Sequence, residues 1–318
     1  MRYANGRRAA ALAAIACFAC HSGASALAAA DPPAEAPPPP AQSAGLDTVT
    51  IEAERLKKKE LERQVSHFVD AVSPHYLHDS LARWRKPICP LVAGLPRDQG
   101  EFVLARLSQI ATTSKAPLAG EHCKPNLYIV VTAAPRALLK RWAARDKVFF
   151  SNPNGGGYFR DLIGSSRPVR VWYRTEFTDA ETGSVGPNSL APGALGTGLE
   201  TLQESGIPTF NVSRATRLRR SALQVFDHVA VIVDAERVRN VSVEQLADYV
   251  AMVGLSEINP DADIAVPSVL RLFHGAEPST DTMSAWDAAY LSSLYSIEQA
   301  SVRELPQMKT SMLKKVAP

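Results

Sequence analysis

Apolar and polar residues follow two different periods along the chain, and their order predicts alternating helices and strands. Helical spacing of apolar residues predicts two helices in the first half of the chain, one through Val103, Leu107 and Ile110 and one through Leu138, Leu139 and Trp142. Continuous apolar runs predict buried strands at Leu127–Thr132, Val169–Tyr173 and His228–Asp234. The alternation indicates an α/β (α+β) fold, with a single mixed-sheet domain and flanking helices.

The last third of the chain carries the strongest local pattern. Ser242 and Gln245 form an S-x-x-Q capping box, which predicts the start of a helix that ends near Gly254. The buried stripe of this helix consists of Leu246, Val250 and Val253. After the segment Ser268–Phe273 we expect a final helix whose apolar face is Trp286, Tyr290, Leu291 and Leu294. We expect the two helices to pack through Trp286, so that its truncation to alanine costs about 3–5 kcal/mol.

Two glycine-rich stretches predict loops. The stretch Phe150–Ser166 contains the triple glycine Gly155–Gly157, which could cradle a phosphate. No G-K-[ST] follows it and no helix obviously begins there, so we interpret it as a flexible loop. Residues 183–198 are also rich in Gly, Pro and Ser, which indicates a long surface loop.

The first residues have the layout of an export signal. Arg2, Arg7 and Arg8 precede a short apolar core, and the A-x-A site ending at Ala28 follows. The core is too short to span a bilayer, which takes about 20 apolar residues. We therefore expect residues 1–28 to be removed by cleavage after Ala28, which leaves a periplasmic or secreted protein without a transmembrane helix. Lipidation at Cys17 is the weaker alternative, because the residues before it fit a lipoprotein box poorly.

The remaining chain is predicted to have three parts. Residues 29–45 form a Pro/Ala-rich linker that cannot bury a core. Residues 46–75 hold a short β-like run, Leu46–Ile51, and then a charged amphipathic helix. The apolar stripe of that helix, which must dock on something, is Leu61, Val65, Phe68, Val69 and Val72. Residues 76–318 are long enough to form a single globular domain.

The charge balance argues against nucleic acid as a partner. Three of the 35 Lys and Arg residues lie in residues 1–28, and their removal leaves 32 against 32 Asp and Glu residues. The one basic cluster is Arg214, Arg217, Arg219 and Arg220. We interpret it as a solvated helix face rather than an anion site.

Cysteine usage agrees with an oxidising compartment. Removal of residues 1–28 leaves Cys89 and Cys123, which predicts one disulfide. Its loop of about 35 residues should stabilise the fold by roughly 3–4 kcal/mol. A redox or nucleophilic cysteine is the weaker alternative, because the chain has no C-x-x-C motif.

Residues 228–297 predict, in order, a strand, a turn, a helix, a glycine, a turn of serine and apolar residues, and a helix that reads W-D-x-x-Y-L-x-x-L-Y. This order resembles the C-terminal part of metzincin zinc peptidases. In that family the helix carries H-E-x-x-H-x-x-G-x-x-H. When Gly254 is aligned with the glycine, Ala247 and Ala251 stand at the first and second histidines. Asp248 stands at the glutamate, and Glu257 stands at the third ligand. The resemblance therefore implies a zincin-like fold without its zinc ligands, because alanine has no donor atom.

From these residues we expect a protein that binds no metal and no cofactor. The sequence identifies no catalytic residue. Asp248 keeps a carboxylate at the general-base position but has no metal-bound water to activate, and Ser268–Leu270 lacks the methionine of the family's turn. We therefore expect a non-catalytic binding or structural module, a pseudo-metallopeptidase whose partner is an envelope protein or ligand.

Two alternatives to this function stay open. One is a periplasmic hydrolase or metallopeptidase-like enzyme whose site is not recognised, with ligands drawn from separate parts of the chain. Separately, His75, His78 and Asp79 could bind a metal, although a polar turn is the simpler interpretation. The other is an accessory to outer-membrane transport, because Asp47–Ala53 weakly resembles the N-terminal motif of TonB-dependent receptors.

Overall fold

The structure is a computed structural model that describes residues 44–74, 80–150, 157–183, 220–274, 280 and 282–317, with side chains described from Arg55 onwards. The folded unit runs from Thr50 to Pro318. Several predicted features lie outside the described residues: the signal peptide with Ala28, the linker up to residue 43, His75, His78 and Asp79, Gly155 and Gly156, the loop from residue 184 on, and Arg214, Arg217 and Arg219.

Seven α-helices and one four-stranded sheet make up the described part of the chain. The strands are β1 (Pro90–Ala93), β2 (Leu127–Thr132), β3 (Val169–Asp179) and β4 (Ala222–Asp234). The helices are α1 (Ala44–Val72), α2 (Arg97–Ser114), α3 (Pro135–Arg145), α4 (Gly157–Gly164), α5 (Val243–Leu255), α6 (Ala285–Leu294) and α7 (Glu304–Val316). A 3₁₀ helix, Val269–Phe273, lies between α5 and α6.

The sheet is mixed, in the order β1-β2-β4-β3. Strands β1, β2 and β4 are parallel, whereas β3 runs antiparallel to β4 at the edge. An antiparallel edge strand on an otherwise parallel sheet is common in α/β folds. The prediction of a single mixed-sheet α/β domain with flanking helices is confirmed.

Helices cover both faces of the sheet. Alternate side chains of a strand point to opposite faces, so each strand contributes to two cores. On one face Val229, Val231 and Val233 of β4 join the main core with the buried stripes of α2 and α5. On the other face Ala230 and Ile232 join a smaller, aromatic core with side chains of α3 and α4. The strands read as apolar runs because both of their faces are buried.

Helix α1 replaces the predicted β-like run. Leu46–Ile51 lies within this helix, so the strand prediction was wrong. The run is followed by Glu, Arg, Leu and Lys, which favour helix, and a helix propagates cheaply once it has formed. The predicted apolar stripe does dock: Val65, Phe68, Val69 and Val72 are buried in the main core.

Two helices were not predicted. Part of the expected loop Phe150–Ser166 is helix α4, which begins at the last of the three glycines; Phe159 on it packs edge-on against Trp172. The helix through Trp286 is not the final one, because α7 follows it. Met308 and Met312, four residues apart, bury one face of α7, and its Glu304 forms a buried ion pair with Arg83.

Trp286 also packs on an element that no sequence pattern indicated as its neighbour. Its ring lies 5.8 Å from that of Phe68 on α1, in an edge-to-face arrangement, and it is only partly buried. The neighbouring Tyr290 is fully buried, and its hydroxyl lies 3.0 Å from that of Ser73. Helix α6 therefore contacts α1 through Trp286 and Tyr290, and the predicted contact between α6 and α5 is present as well. No local pattern in the sequence indicates the contact with α1.

The disulfide between Cys89 and Cys123 is present, as predicted, with 5.9 Å between the two Cα atoms. Cys89 directly precedes β1, and Cys123 lies shortly before β2. The bridge therefore joins the chain segments that enter two neighbouring parallel strands.

Candidate functional site

Helix α5 presents the residues aligned with the zincin motif to the interior of the protein. Ala247, Asp248 and Ala251 are all fully buried. The two alanines belong to the main hydrophobic core, where a metal or a substrate would have to displace packed side chains. This face of α5 is a packing surface.

Asp248 is held by three hydrogen bonds. It accepts from Arg106 Nε at 2.5 Å and Nη2 at 3.0 Å, and from the backbone N–H of Met283 at 2.6 Å. The bidentate pair ties α2 to α5, and the third bond fixes the chain that leads into α6. The carboxylate at the general-base position therefore acts as a structural tie between three segments.

Gly254 and Glu257 have structural surroundings as well. Gly254 is still helical, and a Cβ atom there would lie 3.3 Å from both methyl groups of Leu127, so the glycine allows α5 to approach β2 closely. Its carbonyl accepts a hydrogen bond of 2.8 Å from Trp84 Nε1. Glu257 is buried just after α5, and its charge adds to the burial that raises the pKa of Tyr173.

The segment aligned with the methionine turn is built around Asp287. This buried carboxylate accepts from Ser268 Oγ at 2.5 Å, from Val269 N at 2.9 Å, and from both the N–H and the hydroxyl of Ser284. Burial raises the pKa of Asp287, although the hydrogen bonds act in the opposite direction. Asp287 thus links the start of the 3₁₀ helix to the N-terminus of α6.

The described residues contain no group of three or more His, Cys, Asp or Glu side chains that could hold a metal ion. Among the same residues, no helix is sufficiently long and apolar to cross a bilayer.

A cavity of about 590 Å³ opens beside the edge strand β3. Tyr158, Asp161 and Leu162 of α4 form one wall, and Tyr249 and Val253 of α5 form the other. Its far side is formed by residues of the segment 258–264 and of the end of the 3₁₀ helix, namely Ile258, Pro260, Asp261, Ala262, Asp263, Ile264, Arg271, Phe273 and His274. Cavities of this size are typical of ligand sites.

The strand that lines the cavity has backbone groups along its outer edge that pair with no strand among the described residues. Asp234 N donates to Pro168 O at 2.8 Å, directly before β3 begins. Hydrogen-bonded pairs alternate along an antiparallel ladder, so within β3 they fall at Arg170 and Trp172. The N–H and C=O groups of Val169, Val171 and Tyr173 consequently point away from β4. All three residues line the cavity, and within the described part of the chain no strand pairs with this edge.

Arg170 is the unusual side chain of the cavity. It is 7 % exposed, and its Nε and Nη1 atoms have no hydrogen-bond partner among the described residues. Burial lowers the pKa of Arg170, and the charges of Arg136 and Arg237 act in the same direction, whereas Asp234 opposes them. Buried polar atoms without partners are costly, so the Nε and Nη1 atoms of Arg170, which have none among the described residues, mark a position where a ligand can supply them.

The tyrosines differ in what their hydroxyl groups do. Tyr173 donates to Val253 O at 2.9 Å and accepts from Ile258 N at 3.3 Å, which fixes the end of α5 against β3. Tyr249 packs edge-on against Phe273, and burial raises its pKa to about 12 despite the nearby charge of Arg167. Its phenol is therefore neutral near neutral pH and can act as a hydrogen-bond donor.

A second polar cluster surrounds a β-bulge at Asp227. The register of β3 against β4 shifts here, and Asp227 accepts from Arg174 Nε and lies 2.9 Å from His228 Nδ1. Lys86 bridges Asp227 and Glu176. Burial opposes ionisation, but His228, Lys86 and Arg174 together hold the pKa of Asp227 well below its ordinary value. Because these charges satisfy one another, we interpret the cluster as structural.

The sequence-based reasoning did not identify this cavity. One available sign was Arg170, a charge in the middle of the apolar run Val169–Tyr173. His274 caps the 3₁₀ helix and also lines the cavity. Arg220, from the basic cluster, is partly buried and donates to Ser301 O at 3.3 Å.

Comparison with protein-family models, with curated proteins and with solved structures finds no match to this chain. The metzincin resemblance therefore stays a prediction, and the functional argument depends on the geometry of the site.

Proposed function

We propose that this chain is a non-catalytic binding module of the bacterial cell envelope, a pseudo-metallopeptidase whose ligand is an extended peptide seated along β3. The observation that carries the proposal is the outward row of backbone groups at Val169 and Val171, which lies inside the cavity. An extended peptide can pair with such an edge as an additional strand.

The buried surroundings of Asp248 favour binding over catalysis. Its carboxylate is fully engaged by Arg106 and Met283, and Ala247 and Ala251 offer no ligand atom to a metal. The envelope location rests on the signal-peptide pattern at residues 1–28. The disulfide is consistent with it, since such bonds persist in oxidising compartments. N-terminal sequencing of protein from the native host should find a chain that starts near Ala29, and an intact Met1 would contradict export.

The edge-pairing proposal can be tested with Val171→Pro. The N–H of Val171 faces away from β4, so proline removes the outward donor without breaking a ladder bond. The matched control is Val171→Ala, which shortens the same side chain but keeps the N–H group.

The measurement is the affinity of a pool of synthetic peptides of about six β-branched residues for each variant. We expect Val171→Pro to weaken binding about tenfold or more, since one lost hydrogen bond and the steric block each oppose pairing, and Val171→Ala to bind much like wild type. Equal binding by Val171→Pro and Val171→Ala, with both folded, would contradict the proposal.

A further inference from the structure

The geometry points to a peptide ligand that ends in a carboxylate, with that carboxylate paired to the Arg170 guanidinium. This inference rests on the proposed function and adds the chemistry and the direction of the ligand. It starts from the buried Nε and Nη1 atoms of Arg170, which have no partner among the described residues although the side chain is 7 % exposed.

The charges around Arg170 favour an anion. Burial is the main cause that lowers the pKa of Arg170; among its charged neighbours Asp234 raises the pKa, and Arg136 and Arg237 both lower it. Asp234 lies 3.6 Å from Arg237 Nε, and no ion pair within 4.0 Å joins Arg170 to an acid in the described part of the chain. A ligand carboxylate would therefore enter a region where positive charge is in excess.

The acids of the cavity lie at its rim. Asp161, Asp261 and Asp263 are exposed, and Asp261 forms an ion pair with Arg167. Exposed charges are screened by solvent and salt, whereas the buried guanidinium is screened much less. The rim acids therefore oppose an anion weakly, and Arg170 attracts it strongly.

The position of Arg170 sets the direction of the peptide. Val169 and Arg170 are the first residues of β3, and the outward groups of Val171 and Tyr173 follow them. A peptide paired antiparallel to β3 runs from Tyr173 towards Val169, so its C-terminus reaches the Arg170 end. A peptide paired in the parallel direction would place its N-terminal ammonium there, next to like charges.

The test compares the same peptide pool made with a free C-terminal carboxylate and with a C-terminal amide. A third pool, amidated and ending in Glu, separates a main-chain carboxylate from a side-chain carboxylate. We expect the free-acid pool to bind wild type about tenfold more tightly than the amidated pool, because a charge-assisted pair is lost on amidation. Tight binding of the Glu-amide pool would assign the pairing to a side-chain carboxylate and overturn the C-terminal assignment.

The variant Arg170→Leu should remove the difference between the acid and amide pools, and Arg170→Lys should keep part of it. Arg170→Leu removes a buried charge that forms no ion pair within the described part of the chain, so we expect its thermal midpoint to be at least that of wild type. Equal affinity of acid and amide for wild type, with both still weakened by Val171→Pro, would overturn this inference and leave the proposed function intact. Failure of every pool to bind would overturn both.

Discussion

Replacement of Asp248 by alanine tests whether this residue is a structural tie. The change removes the acceptor of two hydrogen bonds from Arg106 and of one from Met283 N. Hydrogen bonds to charged groups contribute about 1.5–3 kcal/mol each when buried. The Arg106 side chain is 29 % exposed and can turn to solvent, so we discount its share. We expect a loss of about 3 kcal/mol in the free energy of unfolding.

The assay is urea denaturation of the oxidised protein, with the loss read from the midpoint at an unchanged slope. Asp248→Asn keeps an acceptor of the same size and should lose less than Asp248→Ala. A double-mutant cycle with Arg106→Ala isolates the pair, and we expect a coupling of at least about 1 kcal/mol. A loss below about 1 kcal/mol for Asp248→Ala would refute the reasoning, because a fully buried carboxylate that accepts three hydrogen bonds cannot be removed that cheaply.

Three further predictions follow from the described contacts. Replacement of Cys89 and Cys123 together by alanine should lower the free energy of unfolding by about 3–4 kcal/mol, measured by denaturation of wild type and variant; equal midpoints would contradict it. Asp227→Asn should destabilise the protein near about pH 7, and the difference from wild type should shrink as the pH falls below about 4. Below about pH 4 the unfolded chain binds a proton on Asp227, whereas the folded state does not, because its pKa for Asp227 is lowered. Wild type therefore loses on acidification the stability that the charged Asp227 contributes. A difference that grows on acidification would overturn that assignment. Elemental analysis of purified protein should find far less than one zinc per chain; stoichiometric zinc, with a peptidase activity that disappears in Asp248→Asn, would replace the binding module by an enzyme.

The strands were predictable from the sequence because both faces of the sheet are buried. Leu127–Thr132 reads as an uninterrupted apolar run and forms β2 with the same bounds. The capping box at Ser242 and Gln245 is a local pattern, and it is present at the start of α5. Such features depend on neighbours in sequence, so a single chain carries enough information for them.

Two features escaped prediction because they depend on contacts between distant segments. Helix α4 begins within a glycine run, and its apolar side chains pack on an aromatic core supplied by β3 and by the end of α3. Trp286 meets Phe68, more than two hundred positions earlier in the chain. Neither contact leaves a periodic trace beside the residue that makes it.

The candidate site was beyond sequence reasoning for the same reason. Its walls come from α4, α5 and the segment 258–264, and only the fold brings them to the edge of β3. The resemblance to metzincins directed attention to Asp248 and Ala251, which are buried, whereas the cavity lies beside Tyr249 and Val253 of the same helix. A charge inside an apolar strand, Arg170, was the one local sign of the site.

Amide hydrogen exchange along β3 shows whether a peptide pairs with the outer edge of this strand. In the free protein the N–H groups of Val169 and Val171 point away from β4 and should exchange faster than those of Arg170 and Trp172, which face β4. With the free-acid peptide pool at saturation, we expect the N–H groups of Val169 and Val171 to become protected, because the peptide pairs with them. Fast exchange at both positions in the presence of bound peptide would contradict it.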